Sequence, residues 1–416
     1  MPINRRQFLG AAGAAVAVTS AGCETQSDAS PKLSNVTDIA SVRQRFPRAV
    51  QQVYLDCASH APLSTHTREG MDKYMDFHMY GAGEGRGEYA GEAMRSVKGQ
   101  FAKLIGAKES EIAFVQNTKA GEDFVVNGLD IQASGGNVVT NDQHYAGSIH
   151  SYVGRKKAGM DVRIIRAKDW VVDLDDMEAA IDDKTKLVAI TLVSNVNGHV
   201  QEAKALADMA HAKGAHIYAD IIQAAGAVPV DVKALGLDFA ACSNYKWLQG
   251  CRGSGFLYVR EELQGTAVKD LLFPGYVRFN YPPWVDPADE SKEAMPFSPP
   301  TSAGRYEAGN TAREGYCGQY ESFKVMEEVG MDNLFAHNKA LVDRLRKEMP
   351  ESKYECITPE GIRSPIIVFI PADYDGTQAK LKQANIQATT TGNRLRISPN
   401  VYNNQEDIDK LLNALA

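Results

Sequence analysis

The amino-acid sequence predicts an α/β fold with a mostly parallel sheet flanked by helices, together with a smaller α+β domain at the C-terminus. Two observations predict this architecture. From Glu111 onward, short apolar runs rich in Val, Ile and Phe alternate with segments of helical spacing, as in a sheet that helices cover on both faces. The length of 416 residues also suits a large and a small domain, at roughly 150 residues per domain.

Composition excludes several classes of protein. Hydrophobic residues make up 44% of the chain and charged residues 23%, which is ordinary globular usage and excludes disordered, collagen-like and coiled-coil proteins. The formal net charge is -7, and an acidic chain does not have the charge of a general nucleic-acid binder.

We interpret residues 1–30 as an export signal. Arg5 and Arg6 precede an apolar run from Gly10 to Gly22 that is too short to span a bilayer. This segment resembles a twin-arginine signal, so we expect a periplasmic protein. The run ends at Cys23 in a sequence similar to a lipoprotein cleavage site, which leaves two outcomes, a lipid anchor at Cys23 or simple cleavage. The alternative is a flexible cytosolic N-terminus.

The cysteines indicate neither a metal site nor a disulfide framework. There is no Cys-x-x-Cys pair and no His/Cys cluster with the spacing of metal ligands. We therefore expect no metal and mostly unpaired, buried thiols. The six cysteines are at positions 23, 57, 242, 251, 317 and 356.

The apolar runs define the elements of the large domain. A helix is predicted over 203–212, ending at Gly214. In such a sheet, ligands bind at the carboxyl ends of the strands. Strands are predicted at 112–116, 137–140, 187–193, 215–219, 239–243 and 255–260.

Two segments interrupt this alternation. Residues 81–91 contain five glycines but no Gly-x-Gly-x-x-Gly register, so we predict a mobile loop rather than a nucleotide site. Residues 273–304 hold seven of the 17 prolines and predict a long ordered loop. The expected divisions are a large cofactor-binding domain at 50–270, an active-site loop segment at 271–311 and a small domain at 312–416, with which residues 31–49 would pack.

The small domain has its own sequence of elements. A long helical stretch follows Ala312, and a final helix is predicted from Gln405. Between them, residues 364–370 and 394–397 have the apolar character of strands.

Two charged residues follow apolar strands of the large domain. Asp220 ends one predicted strand, and Lys246 lies just after another, so both belong at one edge of the sheet. Charged residues are rarely buried unless they are paired or functional. The alternative is structural, with Asp220 capping the next helix and Lys246 lying over Trp247.

The strings around these residues resemble a known family, the class V group of fold-type I pyridoxal-phosphate enzymes. This group includes cysteine desulfurases, isopenicillin-N epimerases and kynureninases. The similarity runs in order from about Val53 to the C-terminus. It is carried by LVSNVNG at 192–198, YADIIQA at 218–224, SNYKW at 243–247 and GSGFLYV at 253–259.

The resemblance implies a role for each residue near the cofactor ring. Lys246 would bind pyridoxal 5'-phosphate as a Schiff base, for which a desolvated lysine has a suitably lowered pKa. Asp220 would pair with the ring nitrogen and keep it protonated. Gln223 would hydrogen-bond the ring hydroxyl, and Asn195 would lie beside the same edge.

The family binds the cofactor phosphate at a helix start that matches FVQNTKAGE at 114–122. Free backbone N–H groups and the positive end of the helix dipole favour an anion there. Thr118 and the amides of Lys119 and Ala120 are the candidates. Ser243 resembles a second phosphate contact, and Tyr245 is a third, because its phenol can donate a hydrogen bond.

A further aromatic ring and two arginines are implied by the same resemblance. Either Tyr145, which we prefer, or His144 would stack on the cofactor ring. Arg396, in LRISPNVYN at 395–403, would bind the substrate carboxylate through two parallel hydrogen bonds, unless it forms only a surface salt bridge. Arg86 matches an arginine near the family's substrate entrance.

Residues 307–311 resemble the segment that reaches across a dimer in this family. Asn310 and Thr311 would then contact the phosphate bound by the neighbouring subunit. We therefore expect a symmetric homodimer.

The sequence narrows the reaction without fixing it. Desulfurases present a thiolate shortly before the C-terminal arginine, and no cysteine lies between Ser364 and Arg396. We therefore expect an exported aminotransferase or C-S/β-lyase that acts on an amino-acid-type small molecule. The alternatives are an epimerase, a cysteine desulfurase and a non-catalytic binding protein on the same scaffold.

Overall fold

The computed structural model describes residues 39–268 and 300–416. The expected export signal, Cys23 and most of the 271–311 segment lie outside the described residues. Within the described part of the chain, no helix is both long and apolar enough to cross a membrane.

The described part of the chain contains helices that alternate with strands. They are α1 Ile39–Val42, α2 Pro47–Gln51, α3 Thr65–Tyr80, α4 Arg86–Leu104, α5 Thr118–Gly128, α6 Ala146–Lys157, α7 Leu174–Ala180, α8 Ala203–Ala212, α9 Arg313–Val329, α10 Met331–Glu348, α11 Tyr374–Gln383 and α12 Gln405–Leu415.

The strands fall into one large and two smaller sheets. They are β1 Val53–Tyr54, β2 Ile112–Val115, β3 Asn137–Asn141, β4 Asp161–Ile165, β5 Thr185–Thr191, β6 His216–Asp220, β7 Phe239–Ser243, β8 Gly255–Val259, β9 Tyr354–Cys356, β10 Ile367–Pro371, β11 Ile386–Gln387, β12 Thr389–Thr391 and β13 Arg394–Ile397.

The large sheet has seven strands in the order β2-β8-β7-β6-β5-β3-β4. Only β8 runs antiparallel to its neighbours, and the other adjacent pairs are parallel. Every residue of β2, β3, β7 and β8 is buried, as expected where helices cover both faces. The predicted α/β fold class is confirmed, and each of the six strands predicted for this region is present.

One strand of the large sheet escaped prediction. β4 is an edge strand, and of its five residues only Val162 is fully buried. An edge position needs no continuous apolar run, so the segment lacks the sequence pattern of the central strands.

The C-terminal part of the chain builds a four-stranded antiparallel sheet in the order β12-β13-β10-β9. Its apolar face packs with α10, α11 and α12 in a separate core cluster. The long helical stretch predicted after Ala312 is two helices, because the chain turns at Gly330, whose φ is +80°. The final helix begins at Gln405, as predicted.

The N-terminal part of the described chain contacts this C-terminal part. β1 pairs in parallel with β11, and the Arg43 guanidinium forms an ion pair with Asp407 at 2.5 Å. The Phe46 ring packs on Tyr402, with centroids 4.9 Å apart. The domain boundaries inferred from the sequence stay predictions.

The glycine-rich segment is shorter as a loop than predicted. α4 already begins at Arg86, so the connection from α3 spans only residues 81–85. Gly81 and Gly85 take the positive φ angles of the turn, +82° and +77°, whereas Gly87 and Gly91 lie inside the helix. Glycine count alone overestimated the loop, because helices tolerate isolated glycines at a modest cost.

Gly198 lies where the loop after β5 passes the start of β10. Its φ is +78°, and a Cβ atom there would be 2.3 Å from the Ile366 carbonyl oxygen. Gly198→Ala should therefore destabilise the fold by about 2–4 kcal/mol, since it adds a backbone clash to the strain of a left-handed residue. The free energy of unfolding in urea measures this loss.

Gly214 provides the matched control, since its φ is +70° and no atom lies within 4 Å of an added Cβ. Gly214→Ala should cost only about 1 kcal/mol, the strain alone. Equal losses in the two variants would contradict the clash.

Candidate active site

A cavity of about 420 Å³ opens at the carboxyl ends of the parallel strands. It lies between the ends of β6 and β7 and the start of α5, where the topology brings several strand ends together. Seven of the residues expected from the sequence line it, namely Thr118, Lys119, Tyr145, Asp220, Ser243, Tyr245 and Lys246.

Lys246 and Asp220 are both buried, with 7% and 2% of their surface exposed. Burial lowers the pKa of Lys246 from 10.5 to about 8, against the opposing effect of the Asp220 charge. Burial raises the pKa of Asp220, while the nearby His144, the Ile222 N–H and Lys246 oppose the shift. Each group thus favours the charged form of the other in a desolvated setting.

The structural alternatives were that Asp220 caps a helix and that Lys246 lies over Trp247. The structure shows other contacts for both residues. Asp220 is followed by turns, and its Oδ1 accepts a hydrogen bond from the Ile222 N–H at 2.9 Å, so it caps no helix. The Nζ of Lys246 lies 5.8 Å from the centroid of the Tyr245 ring. Trp247 is fully buried and donates from Nε1 to Gln223.

Thr118 and Ser243 join the start of α5 to the end of β7. The Thr118 N–H donates to Ser243 Oγ at 2.8 Å, and the Ser243 N–H donates to Thr118 Oγ1 at 2.9 Å. Their hydroxyls are 2.9 Å apart. This reciprocal pair fixes two hydroxyl groups beside the positive end of the helix, which suits an anion.

The amide of Ala120 has a hydrogen-bond partner within the chain. Its N–H donates to Oδ1 of Asn117 at 2.9 Å, because Asn117 is the N-cap residue of α5 and satisfies this donor itself. A phosphate contact from Ala120 stays a prediction, as do those from Thr118, Lys119 and Ser243.

Gln223 and Asn195 lie close to the cavity without lining it. The Gln223 Nε2 donates to the Ala58 carbonyl at 2.9 Å, and its Oε1 accepts from Trp247 at 2.8 Å. The Asn195 carbonyl accepts from Arg396 at 3.2 Å. An amide nitrogen carries two hydrogens, so Gln223 keeps one N–H that could donate to a ring hydroxyl. That hydrogen bond stays a prediction, as does the position of Asn195 beside the ring.

His144 and Tyr145 occupy different environments. Tyr145 lines the cavity and is 47% exposed. His144 is buried, with Nδ1 accepting from the Tyr145 N–H at 2.7 Å and Nε2 3.5 Å from Glu122. The exposed ring of Tyr145 is thus available for stacking, and the choice between the two residues stays a prediction.

Arg396 is no surface residue. It is 9% exposed, and its Nη2 donates to Ser59 at 2.7 Å and to Thr389 at 2.9 Å. Asp56 lies 3.6 Å away, and the buried Arg396 Nε has no hydrogen-bond partner among the residues that the structure describes. Because Ser59 lines the cavity and the Arg396 charge lowers the pKa of Lys246, Arg396 adjoins the site with a donor to spare.

Three other expected site residues do not reach the cavity of this chain. Arg86 is held by its own loop, with Nε donating to the Gly81 carbonyl and Nη1 to Glu84. These two contacts hold its guanidinium on the turn before α4, and its place at the substrate entrance stays a prediction. Asn310 is exposed and Thr311 half-buried, and their contact with a neighbouring subunit stays a prediction.

The cavity also contains residues that sequence reasoning missed. Ser59, Ser148 and Arg252 line it. Arg252 lies on the connection between β7 and β8, six residues after Lys246. A scan of every loop at the carboxyl edge would have found it, whereas Ser59 comes from a distant part of the chain and gives no local signal.

The described cysteines lie outside the cavity lining. Cys57, Cys242 and Cys317 are buried, while Cys251 and Cys356 are half-buried. Burial raises the pKa of Cys57 to about 12 and that of Cys251 to about 11. A thiol in this state is a poor nucleophile.

The donor set fits pyridoxal phosphate, the cofactor that the sequence implies. The amine of Lys246 can bind an aldehyde, the Asp220 carboxylate can pair with a ring nitrogen, and the Thr118 and Ser243 hydroxyls suit a phosphate. The cavity volume also lies within the usual range for small-molecule sites.

Comparison with known proteins agrees with this fit. The family model described as aminotransferase class-V matches residues 53–411. The chain is 31% identical over 310 residues to a probable cysteine desulfurase of Methanothermobacter thermautotrophicus, with 73% of this chain and 74% of the relative covered.

Solved structures show the same fold at lower identity. The cysteine desulfurase CsdA of Escherichia coli superposes with a TM-score of 0.78 at 19% identity, covering 92% of this chain and 98% of CsdA. The cystine C-S lyase C-DES, in complex with its reaction product cysteine persulfide, gives a TM-score of 0.75 at 17% identity, with 89% and 98% covered.

Proposed function

Since the chain belongs to the aminotransferase class-V family, we propose that it performs carbanion chemistry at the α-carbon of an amino-acid-type substrate, as an aminotransferase or a C-S/β-lyase. The protein is a pyridoxal-phosphate-dependent enzyme. The observation that carries the proposal is the buried pair Lys246 and Asp220 on one cavity wall, beside the hydroxyls of Thr118 and Ser243.

The bound cofactor supplies an electron sink for the substrate carbanion. Lys246 takes and returns the proton at the α-carbon, for which an amine with a pKa of about 8 is well matched to neutral pH. Asp220 would pair with the ring nitrogen of the cofactor, and Arg396 would orient the substrate by its carboxylate. Burial of these groups excludes water from the reacting atoms.

Persulfide transfer is the second candidate, because the relative above is named a probable cysteine desulfurase. That reaction needs the thiolate of an enzyme cysteine beside the bound substrate. No described cysteine lines the cavity, and the chain has no cysteine after Cys356. We therefore favour two reactions over persulfide transfer. One is transamination, and the other is cleavage of a C-S or other β-bond without a persulfide on the protein. An epimerase would use the same lysine, and a binding protein would use none of this chemistry.

The absorbance spectrum of the purified protein tests the proposal. We expect a yellow protein whose colour borohydride fixes at Lys246, located by peptide mass spectrometry. After an amino donor is added, accumulation of the pyridoxamine form identifies an aminotransferase, and release of a 2-oxo acid with ammonia identifies a lyase. A coloured protein that reacts with no amino acid would contradict both.

The lowered pKa of Lys246 predicts how the apoprotein takes up its cofactor. Only the neutral amine attacks an aldehyde, so the rate of capture should rise about tenfold per pH unit below pH 8 and level off above it. An ordinary lysine would still gain rate up to its pKa of 10.5. Stopped-flow absorbance between pH 6 and 10 measures the midpoint, and a midpoint near 10.5 would contradict the burial of Lys246.

We also propose that the enzyme is exported to the periplasm and works as a homodimer. Arg5, Arg6 and the following apolar run support export, and the similarity of residues 307–311 to a dimer-crossing segment supports the dimer. Cell fractionation of the wild type and Arg5→Lys/Arg6→Lys tests the first, and Cys23→Ala tests the lipid anchor. Sedimentation equilibrium tests the second.

A further inference from the structure

Arg252 is a charged residue of the cavity lining to which the chemistry above gives no role. It lies on the loop between β7 and β8, is exposed, and lines the cavity. Its guanidinium lies over the Tyr245 ring, with Cζ 5.7 Å from the centroid. With the residues that the structure describes, Arg252 forms no ion pair. A guanidinium on an aromatic face keeps its N–H edge free for an anion.

The other cations of the site already have counterions. Lys119 pairs with Asp123 at 2.6 Å and with the buried Glu122 at 3.3 Å. Lys246 faces Asp220, the one carboxylate among the described lining residues. Among the described residues, Arg252 is thus the one cation of the cavity lining without a carboxylate partner.

The segment 59–61 connects Arg252 with the expected carboxylate-binding arginine. The charge of Arg252 lowers the pKa of His60, after the larger effect of burial. Next to it, Ser59 Oγ accepts a hydrogen bond from Arg396 at 2.7 Å. The Ala61 N–H donates to the Tyr245 carbonyl at 2.9 Å, which ties this segment to the residue on which Arg252 stacks. Two guanidinium groups thus adjoin one short stretch of chain at the site.

We propose that Arg252 binds a second carboxylate, at the end of the substrate side chain, so that the enzyme prefers dicarboxylic amino acids. This inference rests on the proposed function and adds the substrate class to it. Arg396 takes the α-carboxylate and Arg252 the distal one. Each is a planar fork that matches a carboxylate through paired hydrogen bonds, which a lysine could not offer.

Titration of the holoenzyme with L-aspartate, L-asparagine, L-glutamate and L-glutamine tests the inference, with binding followed by the absorbance of the bound cofactor. Each acid differs from its amide in the distal charge alone. The wild type should bind at least one acid about 10–100-fold more tightly than its amide, the range for a charged hydrogen-bonded pair. Arg252→Gln should lose that preference and bind the amides within about threefold of wild type.

Two controls separate this role from others. Arg68→Gln removes a 74% exposed arginine on α3 and should leave all four affinities unchanged. The affinity of apo Arg252→Gln for pyridoxal phosphate, measured by fluorescence, should match that of the wild type. A weakened cofactor affinity would assign Arg252 to the phosphate and overturn the inference.

The remaining outcomes are also decisive. Equal loss of acid and amide binding in Arg252→Gln would overturn a distal-carboxylate role, as would a wild type that binds acids and amides alike. If the wild type responds to neutral amino acids such as cysteine or alanine but shows no preference for acids, the proposed function stands and this inference fails. If it responds to no amino acid, the proposed function fails as well.

Discussion

Lys246→Ala should reduce kcat/KM by at least about 10³-fold, because it removes the covalent attachment of the cofactor and the base at the α-carbon together. The cavity retains its anion-binding end, where Thr118 and Ser243 are bonded to each other. The variant should therefore still bind pyridoxal phosphate, but borohydride should no longer fix the colour to the protein. Steady-state kinetics and the mass of the reduced protein measure the two effects.

Two controls accompany this variant. Lys246→Arg keeps the positive charge opposite Asp220 but cannot form an imine, so it should be as inactive as the alanine variant. Lys73→Ala removes a lysine that is 52% exposed on α3 and should be fully active. If Lys246→Ala kept more than about a tenth of the wild-type kcat/KM, Lys246 would not be the catalytic amine.

Asp220→Asn should lower kcat/KM by about 10²–10³-fold, the cost of removing one preorganised electrostatic group from a buried site. The apoprotein should be no less stable than the wild type. Burial raises the pKa of Asp220, so its negative charge destabilises the cofactor-free fold as pH rises from the carboxyl's usual range through this raised pKa. Asparagine removes that penalty at neutral pH. In Asp220→Asn, kcat/KM should thus fall while the melting temperature of the apoprotein stays the same or rises.

Asp238 is the matched control, a second buried aspartate on the same sheet. Burial raises its pKa, but hydrogen bonds from His216, His211 and the Ile217 N–H outweigh this, and the net shift is downward. Its charge stabilises the fold at neutral pH, and this stability is lost as pH falls through the lowered pKa.

Asp238→Asn should therefore lower the melting temperature, at a cost on the order of 3 kcal/mol, and leave kcat/KM largely intact. A loss of apoprotein stability in Asp220→Asn equal to that in Asp238→Asn would indicate that Asp220 is structural.

The central sheet was predictable because its strands carry their signal locally. The run Phe239–Ser243 is buried at every position, and β13 and the start of α12 also match the sequence pattern. β4 and the short strands β1, β11 and β12 were not predictable from periodicity. They lie at edges or span two or three residues, so tertiary contacts rather than patterning define them.

The site divides in the same way. Asp220, Ser243 and Lys246 were identified because each sits at a strand end inside a recognisable string. The contacts that surround them were not, because they join distant parts of the chain. Residue spacing does not predict that the Ala120 N–H donates to Asn117. Nor does it predict that Arg86 donates to Glu84. Side chains choose among several partners, and only packing decides which one they reach.

The hydrogen bond between Ser59 and Arg396 has a consequence for biosynthesis. Ser59, which lines the cavity, takes its hydrogen bond from Arg396, 337 residues further along the chain. A ribosome adding ~5–20 residues per second needs roughly 17–70 s to make that interval. The cavity can therefore be completed only after nearly the whole polypeptide has been translated. In nascent chains and in C-terminal truncations, Ser59 would lack its contact with Arg396.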